Sequence, residues 1–317
     1  MKKCLIISPL HFYSWHTAIS DEFIARDYAV EIMNDEYPQG VIGTILGTLF
    51  NKLARELTYI KYRKHLSCSD SNFDVVLIFK GRGVSSKLIN LLSKHSEKIV
   101  AYNFDSFHYS PYPLKWMDKV DSYKTFDFYD SSEYDIERVD LFSGTTFGKS
   151  PLKKNDFSCV MKNHSQRLKY LDEIYEILSD SYSFNIHIFE KNIFTYIKGF
   201  LTHPILFYKW RKYISFKSLS AYDYEKVLSS SIYTLDYAHP SQTGITMRCF
   251  QAQACGAKVI TNNKYCLSST TMNKQDIFVH ELGGNGALLN TFIEKNISKK
   301  PITVHRGVSE FVDDLLI

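Results

Sequence analysis

The sequence predicts an α/β protein of two domains, each built around a parallel sheet. Short apolar runs alternate with longer amphipathic segments through most of the chain, which is the pattern of α/β units. The length of 317 residues exceeds what one domain usually needs. A stretch rich in Gly, Ser, Thr, Lys and Pro at residues 143–156 separates two such alternations. We therefore predict an N-terminal domain over residues 1–152 and a C-terminal domain over residues 153–317.

Composition and charge narrow the function classes. The net charge of +4 is small for this length, so we expect no nucleic-acid partner. The six cysteines form no CxxC pair and have no histidine at zinc-ligand spacing. The longest uncharged stretch, Tyr37–Asn51, is shorter than the roughly 20 apolar residues of a spanning helix. We expect a cytoplasmic protein that at most rests on the inner face of the cytoplasmic membrane.

The first half contains five predicted strands, which are Lys3–Ser8, Ala29–Met33, Phe73–Phe79, Lys98–Asp105 and Ser122–Phe126. A loop, Pro9–His16, precedes a helix over Thr17–Arg26, and apolar residues at helical spacing from Val41 to Leu57 predict one long amphipathic helix. The turn Lys80–Gly83 lacks the third glycine of a dinucleotide fingerprint and is a weak sign of such a site.

Polar residues at strand ends are the candidates for chemistry in the first half. Ligand crevices in open α/β sheets lie beyond the carboxyl ends of strands, where Asp105 is placed. Asp105 is therefore a candidate general base, with His16 and His108 as rivals. Asp127 and Asp130 also follow a strand, but for both we favour helix capping.

The second half repeats the alternation, with strands Phe157–Met161, Ser183–Phe189, Ile232–Asp236 and Lys258–Thr261. The loop after the first of these strands carries His164 and Arg167, which strand-end placement makes candidate ligand contacts. The segment Gly199–Lys217 mixes aromatic and aliphatic residues with Lys and Arg. Such a mixture suits an anionic membrane interface and equally a domain-packing insertion.

The most informative stretch joins the strand Ile232–Asp236 to a helix predicted over Ile245–Ala254. The first turn of a helix offers unpaired N–H groups to an anion such as a diphosphate, and Gly244 permits close approach. The side chains expected to assist are Gln242, Thr243, Thr246 and Arg248. The alternative is an ordinary capped helix with a surface arginine.

The run Leu235–Arg248, followed by Lys258–Asn263, resembles the nucleotide-sugar-binding half of bacterial GT-B glycosyltransferases. The nearest likeness is to those of lipopolysaccharide, O-antigen and capsule assembly. Phe73–Gly83 is similar to their acceptor domain, and Ser158–Arg167 to the opening of their donor domain. The resemblance implies two Rossmann-like domains facing across a cleft.

The resemblance also implies a reaction. A sugar would move from a nucleotide-sugar donor, with UDP as the expected nucleotide, to a glycan or a polyprenyl- or lipid-linked acceptor, with peripheral membrane contact. No cofactor besides this substrate is implied. Gln251 stands where many relatives have a Glu that binds the donor ribose, which weakens that contact. Since no Asp-x-Asp occurs, we expect no metal site and metal-independent turnover.

Two other functions remain open. A GT-B nucleotide-sugar epimerase would need paired acid and base groups at the donor sugar, and the sequence identifies none. A non-catalytic glycan-binding homologue is compatible with Gln251. Because fold alone does not determine function, these alternatives depend on the site.

Overall fold

The structure is a computed structural model that describes residues 1–10, 15–67, 72–144 and 152–317. The chain divides into two compact units. The first unit comprises Met1–Leu141, Pro240–Gly244 and Val308–Ile317. The second comprises Phe142–His239 and Ile245–Gly307. Part of the predicted loop Pro9–His16, and most of the stretch before the predicted boundary at residue 152, lie outside the described residues.

The described part of the first unit forms a six-stranded parallel sheet in the order β2-β1-β3-β4-β5-β6. Its strands are β1 (Lys2–Ser8), β2 (Tyr28–Asn34), β3 (Phe73–Phe79), β4 (Ser96–Asn103), β5 (Ser122–Thr125) and β6 (Glu137–Arg138). The helices between them are α1 (Trp15–Ala25), α2 (Gly40–Leu49), α3 (Asn51–Ser67), α4 (Ser86–Leu92) and α5 (Phe128–Tyr134). All five strands predicted in this half are therefore confirmed.

The single helix predicted from Val41 to Leu57 is wrong, because α2 and α3 are separate helices. Phe50 interrupts them with φ −132° and ψ 52°, outside the helical region. One face of α2 lies against the preceding loop, where a Cβ on Gly47 would meet the Glu36 side chain. Ile45 and Leu49 are exposed, so α2 does not bury the apolar stripe that the spacing predicts.

The described part of the second unit forms a second six-stranded parallel sheet, in the order β12-β11-β10-β7-β8-β9. Its strands are β7 (Asn155–Lys162), β8 (Phe184–Phe189), β9 (Ile214–Ser215), β10 (Ser231–Asp236), β11 (Lys258–Thr261) and β12 (Ile277–Val279). Its helices are α6 (Arg167–Leu178), α7 (Ile193–Thr202), α8 (Pro204–Trp210), α9 (Ala221–Ser229), α10 (Met247–Ala254) and α11 (Gly286–Asn296).

Strand order reverses once in each sheet. In the first sheet the reversal lies between β1 and β3, and in the second it lies between β7 and β10. The second order corresponds to the 3-2-1-4-5-6 arrangement of dinucleotide-binding folds, and the first to the 2-1-3-4-5 arrangement. Ligands bind such sheets beyond the carboxyl ends of the two strands at the reversal. The two units are thus α/β units with parallel sheets, as predicted.

The last helix, α12 (Val308–Leu316), belongs to the first unit. Phe311 packs against Tyr102 of β4 with ring centroids 5.1 Å apart. The buried Lys124 donates to the Asp314 carbonyl at 2.7 Å, and Lys98 donates to the Leu316 carbonyl at 2.5 Å. These lysines satisfy carbonyls that the last helical turn leaves unpaired.

The observed units differ from the predicted division at residue 152. The first long segment ends at Leu141, and residues 240–244 and 308–317 return to the first unit. The cause is long-range packing such as that of Phe311 on Tyr102, which no linker composition reveals. In the described residues, no helix combines the length and apolar character needed to cross a membrane.

Gly81 gives a test of the packing at the end of β3. Its φ is +65°, and a Cβ there would lie 2.6 Å from the Trp116 ring. Gly40 has a similar φ of +76° with nothing within 4 Å of its Cβ position. We expect Gly81→Ala to lower the free energy of unfolding by about 1–3 kcal/mol more than Gly40→Ala, because only the former adds a clash to the backbone strain. Urea unfolding measures both, and equal losses would contradict the packing.

Candidate functional site

The reversal between β7 and β10 brings together two loops of the second unit. The first follows β7 and carries His164 and Arg167, and the second follows β10 and leads to Thr246 and Arg248. Four of the predicted donor-binding residues therefore gather at the edge where α/β sheets bind ligands.

Arg167 holds the two loops together. It is the first residue of α6 and is only 8% exposed. Its Nε donates to the Tyr237 carbonyl at 3.3 Å and its Nη1 to the Lys162 carbonyl at 3.4 Å. Arg167 therefore fixes the backbone at both strand ends. The contact with a ligand stays a prediction.

A buried carboxylate organises the β10 side of the site. The Asp236 Oδ1 accepts from the Thr246 hydroxyl at 2.8 Å and from Arg248 Nε at 2.9 Å. Its Oδ2 accepts from the Thr261 hydroxyl at 3.1 Å. Burial would raise the pKa of Asp236, but Arg248 and Thr246 outweigh it and lower that pKa. Asp236 stays ionised and fixes the Arg248 guanidinium, whose side chain keeps 22% of its surface exposed.

His164 reports the electrostatic character of the site. It remains partly open to solvent, and its Nδ1 lies 3.0 Å from the Ser165 hydroxyl. Partial burial, with the positive charges of Arg167 and Arg248, lowers the pKa of His164 to about 3. The His239 ring lies 6.3 Å away. A neutral histidine among cations indicates a positive potential that suits a bound anion.

Asn262, which is not among the predicted site residues, fixes the loop after β10. Its Oδ1 accepts from the Ala238 amide at 2.7 Å, and its Nδ2 donates to the Ala238 carbonyl at 3.2 Å. Its signal in the sequence is its position directly after the predicted strand Lys258–Thr261. Strand-end placement, applied to β11 as it was to β7, would have identified it.

The helix after the loop begins later than predicted. It starts at Met247 with Thr246 as N-cap, whereas the prediction starts it at Ile245. Gly244 therefore lies outside the first turn, and the N–H groups that an anion could reach are those of Met247 and Arg248. Gln251 lies half-buried in the middle of α10.

Gln242, Thr243 and Gly244 belong to the first unit, apart from the other predicted donor-binding residues. The Thr243 amide donates to Asp127 Oδ2 at 2.6 Å, and the Gly244 amide donates to the same oxygen at 3.1 Å. A Cβ on Gly244 would meet the Phe126 ring at 2.3 Å. The close approach that Gly244 permits is thus made by the first unit itself, and its amide already has an anionic partner.

Asp127 follows β5 and serves two purposes. It caps α5 by accepting from the Tyr129 and Asp130 amides, which confirms the predicted capping role. It also binds the 243–244 amides described above. Asp130 does not cap a helix as predicted, because its Oδ2 accepts from the Phe107 amide at 2.7 Å. Burial raises the pKa of Asp130 to about 6.

Asp105 lies at the end of β4 in a polar setting within the first unit. Its Oδ2 is 2.6 Å from Lys80 Nζ, and its Oδ1 accepts from Gln242 Nε2 at 3.1 Å. Both partners orient the Asp105 carboxylate. The backbone of Lys80 itself adopts the left-handed conformation, with φ +64°. His16 lies near the start of α1, where Trp15 packs against Phe104 at 4.9 Å.

Among the described residues, no group of three or more His, Cys, Asp or Glu side chains has an arrangement that would hold a metal ion.

The predicted rival base His108 is exposed on the loop after Asp105.

No family model matches the chain, and no curated protein matches its sequence. Solved structures do resemble it. AviGT4, a glycosyltransferase involved in avilamycin A biosynthesis, has a TM-score of 0.58 at 8% identity, covering 100% of this chain and 96% of its own. WaaB, a lipopolysaccharide outer core galactosyltransferase, has a TM-score of 0.58 at 13% identity, covering 94% and 92%.

A third similar structure is an epimerase. UDP-GlcNAc 2-epimerase of Methanocaldococcus jannaschii, solved with UDP-GlcNAc and UDP, has a TM-score of 0.55 at 13% identity and covers 100% of this chain and 99% of its own. Likeness at such identities establishes the fold, which is that of GT-B proteins. It leaves the reaction to be argued from the site.

The Asp236–Arg248 ion pair can be tested by substitution. We expect Asp236→Ala to lower the free energy of unfolding by about 3–5 kcal/mol, because it leaves a largely buried guanidinium uncompensated. Thr261→Ala removes one hydrogen bond to the same carboxylate and should cost about 1–3 kcal/mol. Denaturant unfolding above about pH 5 measures both.

The pH dependence of the same pair provides the control. Since folding lowers the pKa of Asp236, its contribution is present above the unfolded-state pKa of about 4 and is lost as the pH falls through the lower folded-state pKa. The difference in stability between the parent and Asp236→Ala should therefore shrink in acid. A difference that is constant with pH would contradict the role given to the charge.

Proposed function

We propose that this chain is a glycosyltransferase that uses a nucleotide-sugar donor, with UDP as the expected nucleotide. The acceptor is a glycan or a lipid-linked saccharide of bacterial surface polysaccharide synthesis, reached from a peripheral position at the membrane. The single observation that carries the proposal is the cationic edge of the second unit, where Arg248, Arg167 and a neutral His164 meet at the strand reversal.

The diphosphate of the donor would bind at the start of α10. The Met247 and Arg248 amides point out of a helix end that favours negative charge. The Arg248 side chain stays partly exposed while Asp236 fixes its Nε, so its remaining donors would bind a phosphate oxygen. Gln251 would bind the ribose hydroxyls through its neutral amide, with less strength than a carboxylate.

Sugar transfer requires removal of the proton of the acceptor hydroxyl and stabilisation of the negative charge on the leaving diphosphate. In an inverting reaction, a base takes the proton of the acceptor hydroxyl. The hydroxyl oxygen then forms a bond to the anomeric carbon of the donor sugar. The bond from that carbon to the diphosphate breaks, and its electrons leave with the nucleoside diphosphate. Amides and guanidinium can stabilise that leaving group without a metal. We assign the base role to Asp105, with His16 as the alternative.

An epimerase is the second candidate, favoured by the structural likeness to UDP-GlcNAc 2-epimerase. Such a reaction would require an acid and a base on the donor sugar itself. Among the described residues at the cationic edge, His164 is neutral, and the Asp236 carboxylate is engaged by Thr246, Arg248 and Thr261. A further carboxylate, the buried Glu190, accepts from the Asn163 amide group at 2.8 Å. Sugar transfer is therefore the function that the site favours.

A panel of nucleotide-sugars tests the function directly. Incubation with UDP-, GDP-, CMP- and dTDP-sugars should release one nucleoside diphosphate, or CMP from a CMP-sugar, and EDTA should leave the rate unchanged. A nucleotide at 100 times its dissociation constant should also stabilise the protein by about 2.7 kcal/mol. Conversion of the sugar without release of nucleotide would favour the epimerase, and loss of activity in EDTA that Mg²⁺ restores would refute metal independence.

Binding of a nucleoside diphosphate should change the ionisation of His164. We expect UDP to raise the pKa of His164, because a nearby anion favours the imidazolium form that Arg167 and Arg248 now disfavour. NMR titration of the histidine side chains with and without UDP measures this shift. Addition of UDP should leave the His187 resonances unchanged, since the His187 ring is hydrogen-bonded to the Lys217 carbonyl in another part of the unit. A His164 titration unaffected by UDP would place the diphosphate elsewhere.

Asp105→Asn tests the proposed base. We expect kcat to fall by about 10²- to 10⁴-fold, because the amide cannot accept the proton of the acceptor. Asp118→Asn is the matched control, since Asp118 is an exposed carboxylate in the same unit. If Asp105→Asn stays within a few-fold of the parent while His16→Gln loses activity, the base is His16.

A further inference from the structure

A second surface of this chain has no part in the proposed reaction. The chain leaves the carboxyl end of β8, forms α7 and α8, and returns through β9. The large apolar side chains that it exposes include Phe194, Ile197, Leu201, Ile205, Tyr208 and Phe216, called here the apolar surface. Phe194 is 79%, Leu201 75% and Ile205 85% exposed. Adjacent exposed apolar residues on this scale are a feature of interaction sites.

The packing of α7 explains why these side chains face outward. A Cβ on Gly199 would lie 2.1 Å from the Phe207 ring, so this face of α7 is pressed against α8. Tyr196 lies on the same side, with its ring 5.6 Å from that of Phe207. Phe194, Ile197 and Leu201 recur at helical spacing on another face, and no residue of α7 is buried.

Both helices are firmly attached to the second unit. Asn192 and Thr195 form a capping box at the start of α7, and the Thr195 hydroxyl donates to the buried Glu190 at 2.6 Å. In α8, the buried Trp210 donates to Asp172 of α6 at 2.8 Å. The apolar surface is therefore presented by fixed helices.

The segment that carries the apolar surface contains charged residues of one sign only. Residues 191–222 contain five Lys, one Arg and no Asp or Glu. The formal charge of this segment therefore exceeds the net charge of +4 of the whole chain. Lys209 is neutralised by Asp172 at 2.6 Å and by Glu176. The other five cations are exposed and form no ion pair within the part of the chain that the structure describes. They are Lys191, Lys198, Arg211, Lys212 and Lys217.

We propose that the apolar surface docks onto an anionic lipid membrane, an inference that rests on the peripheral position included in the proposed function and names the surface responsible for it. Its apolar side chains would enter the boundary between headgroups and acyl chains, while the flanking lysines and Arg211 contact anionic headgroups. Charge complementarity favours an anionic membrane, because exposed lysines and Arg211 flank the apolar side chains. Since β9 pairs with the last two residues of β8, docking would hold the carboxyl edge of this sheet near lipid.

Vesicle flotation of the full chain tests the proposal without any donor or acceptor, so its outcome is separate from that of the reaction. The probes are phosphatidylcholine vesicles with and without about one third phosphatidylglycerol. The apolar variant is Phe194→Ser, Leu201→Ser and Ile205→Ser, and the charge variant is Lys198→Gln, Arg211→Gln and Lys212→Gln. The matched controls from the same unit are Leu267→Ser, Leu288→Ser, Ile302→Ser and, separately, Lys274→Gln, Lys295→Gln, Lys300→Gln.

The parent should float with anionic vesicles and detach in high salt. The apolar variant should bind at least tenfold more weakly, and the charge variant about fivefold more weakly for each cation removed. Both controls should bind like the parent, and melting temperatures should show that every variant is folded. Absence of binding by the parent, equal binding to neutral vesicles, or equal losses in the controls would overturn the proposal. A parent that forms dimers broken by the apolar variant, without binding vesicles, would make this surface an interface between copies.

Discussion

The buried Asp236 carboxylate is the contact on which the candidate site depends. It joins the end of β10 to the start of α10 through Thr246 and Arg248, and to β11 through Thr261. A buried carboxylate is stable only when it is paired and hydrogen-bonded, so these partners must keep their places. The exposed part of Arg248 and the α10 amides owe their positions to an anion that faces inward.

The first unit uses a carboxylate in a comparable way. Asp127, at the end of β5, accepts amide hydrogens from α5 and from residues 243–244. The loop that the sequence presents as one phosphate-binding segment is thereby divided, with Gln242 on Asp105 and Thr246 on Asp236. Local spacing predicts that amides at a glycine turn attract an anion, and here that anion is a side chain more than a hundred residues away.

Much of the fold could be predicted because its signals are local. Buried strands such as Phe73–Phe79 are continuous apolar runs, and Asp127 is a capping residue in its sequence context. The separation of α2 from α3 could not be predicted, because Phe50 continues the apolar spacing while its backbone leaves the helix. The anchoring role of Arg167 and the place of α12 depend on partners remote in sequence, Tyr237 and Tyr102, which no periodicity reveals.

The return of α12 to the first unit has a consequence for biosynthesis. Phe311 and the carbonyls held by Lys98 and Lys124 leave the ribosome after every residue of the second unit. Domains generally fold as units during translation, in the order in which their residues emerge. Here the unit that begins to emerge first is the one that is completed last, so in nascent chains Tyr102 lacks its contact with Phe311 until residue 311 has left the ribosome.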